Sequence, residues 1–95
     1  MHFVIHCIDH DNAVEKRLAH YAAHRAYLDN PSVSIVISGP LLAEDLETMI
    51  GSCFLVEANS LAQVQAFNRE DPFFKVDLWK TIMIHPFLKR MDNRT

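Results

Sequence analysis

The chain begins with the run Phe3-Val4-Ile5-His6-Cys7-Ile8, in which most side chains are β-branched or apolar. Such a run predicts a β-strand, because these side chains pack well on a pleated surface. Successive side chains of a strand point to opposite faces of a sheet, so Phe3 and Ile5 share one face while Val4 lies on the other. Both faces of this strand therefore carry apolar side chains, unlike a strand with one solvated face.

Two helices are predicted from apolar spacing and from terminal signals. The first spans about residues 13–29 and ends at Asn30-Pro31, because proline disfavours helix at the preceding residue. Asn12 is its expected N-cap, with Glu15 completing a capping box, and the second helix begins after Ser60 with Gln63 in the same role. The core-facing side of the first helix is marked by Val14, Leu18, Tyr21 and Leu28.

Three further strands are predicted at residues 33–38, 50–57 and 79–85, and Gly39-Pro40 closes the first of them. The element order is then β-α-β-β-α-β over a single domain of residues 1–95. This order is typical of a ferredoxin-like α+β sandwich, a four-stranded antiparallel sheet with two helices on one face.

The sheet face away from the helices is expected to carry Val4, Ile8, Trp79 and Met83. An apolar face of this kind usually marks an interface, and the simplest cover is an identical chain in a two-fold dimer. A monomer with an open ligand groove on that face is the alternative.

Charge and composition exclude several kinds of partner and cofactor. The net charge is −3, and the nine basic residues are scattered, which argues against a nucleic-acid groove. No run is long enough to span a bilayer, and no signal peptide is visible. Cys7 and Cys53 are expected to be reduced thiols of a cytoplasmic protein. With only two glycines and no phosphate loop, no nucleotide cofactor is expected.

A metal site is also not expected. His6, Asp9, His10 and Asp11 resemble a ligand cluster, but they span a strand-to-turn junction at which no regular geometry presents them together. A polar turn is the better interpretation, and neither cysteine has zinc-site spacing.

His24 and Asp71 are the strongest candidates for chemistry. Histidine titrates near neutral pH, and a carboxylate can hold its ring in one tautomer, so the two would form a general acid/base pair if the fold brings them together. Each also has an ordinary explanation. His24 lies at the edge of the apolar side of the first helix, and Asp71 before Pro72 is a good N-cap of a short helical turn.

Two more groups of residues are candidate substrate contacts. Ser38, Gly39 and Pro40 end a strand, where Gly39 would let a ligand approach the backbone and Ser38 could donate a hydrogen bond. Arg25 lies close to the apolar side of the helix, where it would either pair with an acidic residue or bind an anionic substrate group. A simple strand exit and a solvated arginine are the plain alternatives.

The order of several short motifs resembles the YciI-like (YCII-related) family of the dimeric α/β-barrel superfamily. The motifs are His24 with Leu28, Ser38-Gly39-Pro40, Gly51-Ser52, Asp71-Pro72-Phe73 and Pro86-Phe87. The resemblance implies a ferredoxin-like protomer whose sheets pair into a barrel, and a cleft faced by His24 and Asp71. It also implies a cofactor-free reaction, since some relatives are lyases such as a dehydrochlorinase acting on a chlorinated hydroxyhydroquinone.

Three functions follow from these observations. The first is a cofactor-free lyase or isomerase in which His24 is the acid or base and Asp71 orients it on a small organic substrate, for example a cyclic or aromatic one. The second is a module that binds a small ligand or a partner protein without catalysis. The third is a structural dimer in which the pair is only a packing hydrogen bond.

Overall fold

Four antiparallel strands form one sheet in the order β2-β3-β1-β4 in the computed structural model, which describes residues 1–94. The strands are β1 (His2–Asp9), β2 (Ser34–Leu42), β3 (Met49–Glu57) and β4 (Trp79–Phe87), and the helices are α1 (Val14–Leu28), α2 (Leu61–Glu70) and α3 (Pro72–Lys75). The predicted ferredoxin-like α+β fold is confirmed, with α3 as a short addition after α2.

The core lies between the sheet and the helices. Phe3, Ile5 and Cys7 of β1 are buried on this side, as their alternation predicts, and they pack with Phe54 of β3 and Phe67 of α2. No helix within residues 1–94 is long and apolar enough to cross a membrane.

The start and the buried face of α1 differ from the prediction. Asn12 has a φ of 56°, a left-handed conformation that asparagine tolerates, and Ala13 occupies the N-cap position without a side-chain hydrogen bond. The Asn12–Glu15 capping box is therefore wrong. The Ser60 cap is confirmed, because its hydroxyl accepts from the Gln63 N–H at 3.2 Å.

The apolar side expected for α1 is also wrong in part. Leu18 and Tyr21 are at least half exposed, whereas the buried residues of the helix are Arg17 and His24. Residues seven apart on a helix share a face, so the side of α1 that meets the sheet carries polar side chains. This is the first indication that the helix contributes a site as well as core packing.

β2 does not stop at Gly39-Pro40 but continues to Leu42. It is an edge strand, and an edge strand tolerates proline because the missing N–H need not serve a neighbouring strand. The Ser38-Gly39-Pro40 segment is therefore strand backbone paired with β3, opposite residues 52–54, rather than a strand exit.

Trp79 lies on the helix side of the sheet, and its expected place on the other face is wrong. The pairing of β1 with β4 shifts after Ile8: Thr81 lies opposite Ile8, but Trp79 lies opposite Asp9, so Lys80 is an extra residue on β4. One extra residue reverses the side-chain alternation. Trp79 is consequently buried against Phe73, edge to face at 6.0 Å.

Candidate functional site

His24 and Asp71 are in direct contact. Nδ1 of His24 lies 2.8 Å from Oδ1 of Asp71, and the side chains are only 10% and 1% exposed. An ionised carboxylate only accepts hydrogen bonds, so Nδ1 carries the proton and donates it. In the neutral ring this leaves the lone pair on Nε2, the nitrogen able to take a proton from another molecule.

The backbone around Asp71 fixes the position of its carboxylate relative to His24. Asp71 has an extended conformation between α2 and α3, and its Oδ1 also accepts the backbone N–H of Phe73 at 2.9 Å. Pro72 at the first position of α3 suits this arrangement, because it has no N–H to satisfy. The predicted cap is thus confirmed, and the same oxygen serves both the cap and His24. The other oxygen, Oδ2, is buried without a hydrogen-bond partner in residues 1–94.

Aromatic rings hold the imidazole in place. The His24 ring stacks on Phe73, with centroids 4.0 Å apart and planes 13° from parallel, and Phe54 approaches it edge-on at 6.2 Å. The helix start that Asp71 caps therefore also supplies the ring on which His24 rests. Nε2 has no hydrogen-bond partner among the described residues.

A cavity of about 160 Å³ opens beside this pair. Its wall consists of side chains from α1, β2 and β3, namely Arg17, Tyr21, His24, Arg25, Leu28, Ser38, Gly39, Pro40, Met49, Ser52 and Phe54. A cavity of roughly 150 Å³ holds one benzene molecule, so the space suits a single substituted ring. The wall combines aromatic and aliphatic surface with a few polar groups, as small-molecule sites do.

The sequence-predicted contact residues all line this cavity. Ser38, Gly39 and Pro40 form its β2 side, and a Cβ built on Gly39 would meet no atom within 4 Å. Arg25 is exposed at the cavity and pairs with Asp29 one helical turn later, Nε to Oδ1 at 3.6 Å. Of the two roles expected for Arg25, pairing with an acidic residue is the one realised within the chain.

Arg17, Asp9 and Ser52 form a second polar group that was not predicted from the sequence. Nε and Nη2 of Arg17 each donate to the Asp9 carboxylate at 2.8 Å, and Nη2 also donates to Ser52 Oγ at 2.9 Å. The guanidinium carbon lies 4.8 Å from the centre of the Phe73 ring. The spacing in the sequence indicates this placement, because Arg17 and His24 are seven residues apart on one helix and therefore share a face.

The polar residues of the His6–Asp11 segment pair with different parts of the chain. The Asp9 carboxylate is ion-paired with Arg17. Nε2 of His10 lies 3.3 Å from Oδ1 of Asp77, in the turn before β4. Over residues 1–94, no three histidine, cysteine, aspartate or glutamate side chains are grouped closely enough to hold a metal ion.

Comparisons with known proteins agree with the fold. The family model of the YCII-related domain matches residues 1–88. Protein YciI of Escherichia coli and protein YciI of Shigella flexneri are each 29% identical over 96 residues, covering 94% of this chain and 98% of theirs. A similar solved structure is 5-chloro-2-hydroxyhydroquinone dehydrochlorinase from Burkholderia phenoliruptrix AC1100, in complex with 2,5-dihydroxybenzoquinone. It has a TM-score of 0.83 and 32% identity, with coverage of 93% of this chain and 94% of that one.

Proposed function

Since the chain belongs to the YCII-related domain family, we propose that it is a small-molecule enzyme whose acid/base pair is His24 and Asp71. The reaction is a proton abstraction coupled to elimination or isomerisation on a substrate of one ring. A positioned imidazole accomplishes such proton transfers by itself, so no metal or organic cofactor is required by the proposal.

The observation that carries this proposal is the 2.8 Å contact between His24 Nδ1 and Asp71 Oδ1 at the wall of a ring-sized cavity. Nε2 acts as the base. The Asp71 carboxylate fixes the tautomer and stabilises the imidazolium that forms when Nε2 takes a proton. The stack on Phe73 limits rotation of the ring, so the base is held in one orientation before substrate binds.

The substrate class follows from the cavity and from the dehydrochlorinase of similar structure. We propose a hydroxylated ring that carries a leaving group such as chloride. A hydroxyl proton of the substrate passes to Nε2 and from there to the chlorine-bearing ring carbon, as the electron pair left on oxygen forms a C=O bond. A second hydroxyl proton then passes to Nε2, its oxygen forms the second C=O bond, and chloride leaves with its own bonding pair. His24 then returns the proton to solvent, so the net change is loss of hydrogen chloride.

The β2 wall positions this ring. Ser38 donates a hydrogen bond to a ring oxygen, Gly39 leaves room for the ring against the backbone, and Pro40 gives an apolar contact. Arg25, at the exposed side of the cavity, interacts with an anionic substituent when it leaves Asp29.

The test is chloride release from 5-chloro-2-hydroxyhydroquinone, with 2,5-dihydroxybenzoquinone binding measured in parallel. We expect turnover by the wild type and a loss of at least about 100-fold in kcat for His24→Gln. His20→Gln, on the same helix, is the matched control. A wild type that binds the quinone without turnover would instead be a binding module. If His24→Gln changed only thermal stability, the pair would be structural.

A second copy of the chain is the proposed cover of the free sheet face. Ile37 and Met83 are about half exposed there, and Nδ1 of His6 is buried without a hydrogen-bond partner in the described residues. We expect sedimentation equilibrium to show a homodimer, and we expect Met83→Asp to shift the monomer–dimer equilibrium toward the monomer. Leu18→Asp, on the exposed side of α1, should leave it unchanged. A monomeric wild type would refute this. We also expect a cytoplasmic location, where Cys7 and Cys53 stay reduced.

A further inference from the structure

Arg17 is a buried cation whose hydrogen-bonding capacity is only partly used within the chain. The residue is 3% exposed, and its Nε and Nη2 hydrogens are engaged by Asp9 and Ser52. Arginine keeps its proton in proteins and has five N–H donors, two of them on Nη1. Within residues 1–94 Nη1 makes no hydrogen bond, and Arg17 is part of the cavity wall.

The guanidinium and the imidazole of the proposed base share one neighbour, the Phe73 ring. Arg17 and His24 both contact the Phe73 ring, at 4.8 Å and 4.0 Å from its centre, and both line the cavity. Asp9 holds the guanidinium with two 2.8 Å hydrogen bonds, so its remaining donors are fixed in direction before any ligand enters. Fixed donors in a site of low water content stabilise developing charge most effectively.

We propose that Nη1 of Arg17 is the anion subsite of this cavity, and that it binds the substrate oxygen on which negative charge accumulates when His24 takes the proton. This inference rests on the proposed function. In the transfer, an O–H bond of the substrate breaks, the proton moves to Nε2, and the electron pair stays on oxygen as a phenolate or enolate. The substrate class is therefore a ring with an acidic hydroxyl, and Arg17 binds its ionised form more tightly than its neutral form.

Arg17 fits this role better than Arg25. The Arg25 side chain is 67% exposed and paired with Asp29, so water screens its charge. Arg17 is shielded from water, and hydrogen bonds between charged groups are stronger in such surroundings. Ser38 on the facing β2 wall supplies a neutral donor but no charge.

The test measures binding of 4-nitrophenol to the full chain, because its phenolate absorbs visible light and the neutral phenol does not. Titrations across pH give the affinity of each form. We expect the wild type to prefer the phenolate by about tenfold or more. Arg17→Lys keeps a cation for Asp9 but lacks Nη1, and should abolish the preference. Arg69→Lys, the same change at an exposed site on α2, should keep it.

An equal preference in the wild type and Arg17→Lys would overturn the subsite, as would a wild type that binds neither 4-nitrophenol nor 2,5-dihydroxybenzoquinone. If Arg17→Lys does not fold, nitrogen-15 NMR of the wild type gives the answer. The Nη1 hydrogens of Arg17 should move downfield when 4-nitrophenol is added, and unchanged resonances would overturn the proposal.

These measurements do not depend on turnover, so the two proposals can fail separately. If the protein binds phenolates through Arg17 but releases no chloride, the subsite is supported and the proposed reaction is refuted. If Arg17→Lys releases chloride at the wild-type rate, and neither the variant nor the wild type prefers the phenolate, the reaction is supported and the subsite is refuted.

Discussion

Replacing Asp71 by asparagine separates the charge of the carboxylate from its hydrogen bonds. Oδ1 alone accepts both the His24 Nδ1–H and the Phe73 N–H, whereas Oδ2 has no partner among the described residues. The amide oxygen of the introduced asparagine can take the place of Oδ1 and its NH₂ group the place of Oδ2. The Phe73 N–H enforces this orientation, because the reverse one would set two donors against each other.

The magnitudes follow from these contacts. Asparagine caps helices about as well as aspartate, so we expect Asp71→Asn to change the free energy of unfolding by less than about 1 kcal/mol. Asp71→Ala loses the cap, about 1 kcal/mol, and leaves the Nδ1–H of His24 without its acceptor, about 1–3 kcal/mol more. For a chain of this size we expect Tm to fall by about 10 °C or more in the alanine variant.

The catalytic effect of Asp71→Asn should come from charge alone. A hydrogen bond to a charged acceptor is worth about 1–1.5 kcal/mol more than one to a neutral acceptor, so kcat should fall about tenfold with an unchanged KM. Thermal unfolding and chloride release from 5-chloro-2-hydroxyhydroquinone measure the two effects. An Asp71→Asn variant with wild-type kcat would refute the role of the charge, and one as unstable as Asp71→Ala would refute the single-oxygen geometry.

Three further predictions concern individual residues. A Cβ on Gly51 would overlap the carbonyl oxygen of Cys7 in the neighbouring strand, so Gly51→Ala should lower the free energy of unfolding in urea by about 3 kcal/mol. A Cβ on Gly39 meets no atom, so Gly39→Ala should keep the stability of the wild type but weaken binding of 2,5-dihydroxybenzoquinone. Burial raises the pKa of the Cys7 thiol to about 12, so Cys7 should resist iodoacetamide at pH 8 in the folded protein and react once the protein is unfolded in urea. Labelled Cys7 in digests of the folded protein, detected by mass spectrometry, would show that this burial is wrong. Tyr27→Phe should cost about 1 kcal/mol by losing the 2.8 Å bond to the Phe67 carbonyl. Burial also raises the pKa of Tyr27 above 10.0, so the wild type should lose stability above about pH 10, a loss that Tyr27→Phe should lack in pH-dependent unfolding.

The sequence allowed the fold to be predicted because its signals are local. Alternation in β1 and the Ser60 cap of α2 depend on neighbouring residues, and both are confirmed. The bulge at Lys80 could not be predicted, since it depends on how β4 pairs with a strand about 70 positions earlier. The same holds for β2, where an edge position tolerates Pro40 and no local pattern reveals which strands lie at the edge.

The candidate site could be predicted only in part, because some of its contacts join residues that are distant in the sequence. The resemblance to the YCII-related family implied that His24 and Asp71 face one cleft, and the two side chains are in contact. Arg17 was overlooked because apolar spacing assigned Leu18 and Tyr21 to the core side of α1, and a charged residue is not expected in that position. Its burial depends on Asp9 and Ser52, which lie 8 and 35 residues away along the chain. Partners at such separations become visible only in three dimensions.

The bond between His24 and Asp71 joins residues 47 positions apart, and this separation governs when the candidate site is complete during folding. Contacts between distant segments form late in folding, because the entropy of closing the loop must be overcome before the contact stabilises anything. A chain emerging from the ribosome has α1 complete long before Asp71 appears, and until then the imidazole has neither its carboxylate nor its Phe73 support. Recovery of the proposed activity during refolding would therefore report the docking of α1 against the α2–α3 junction, an event that helical circular dichroism does not register.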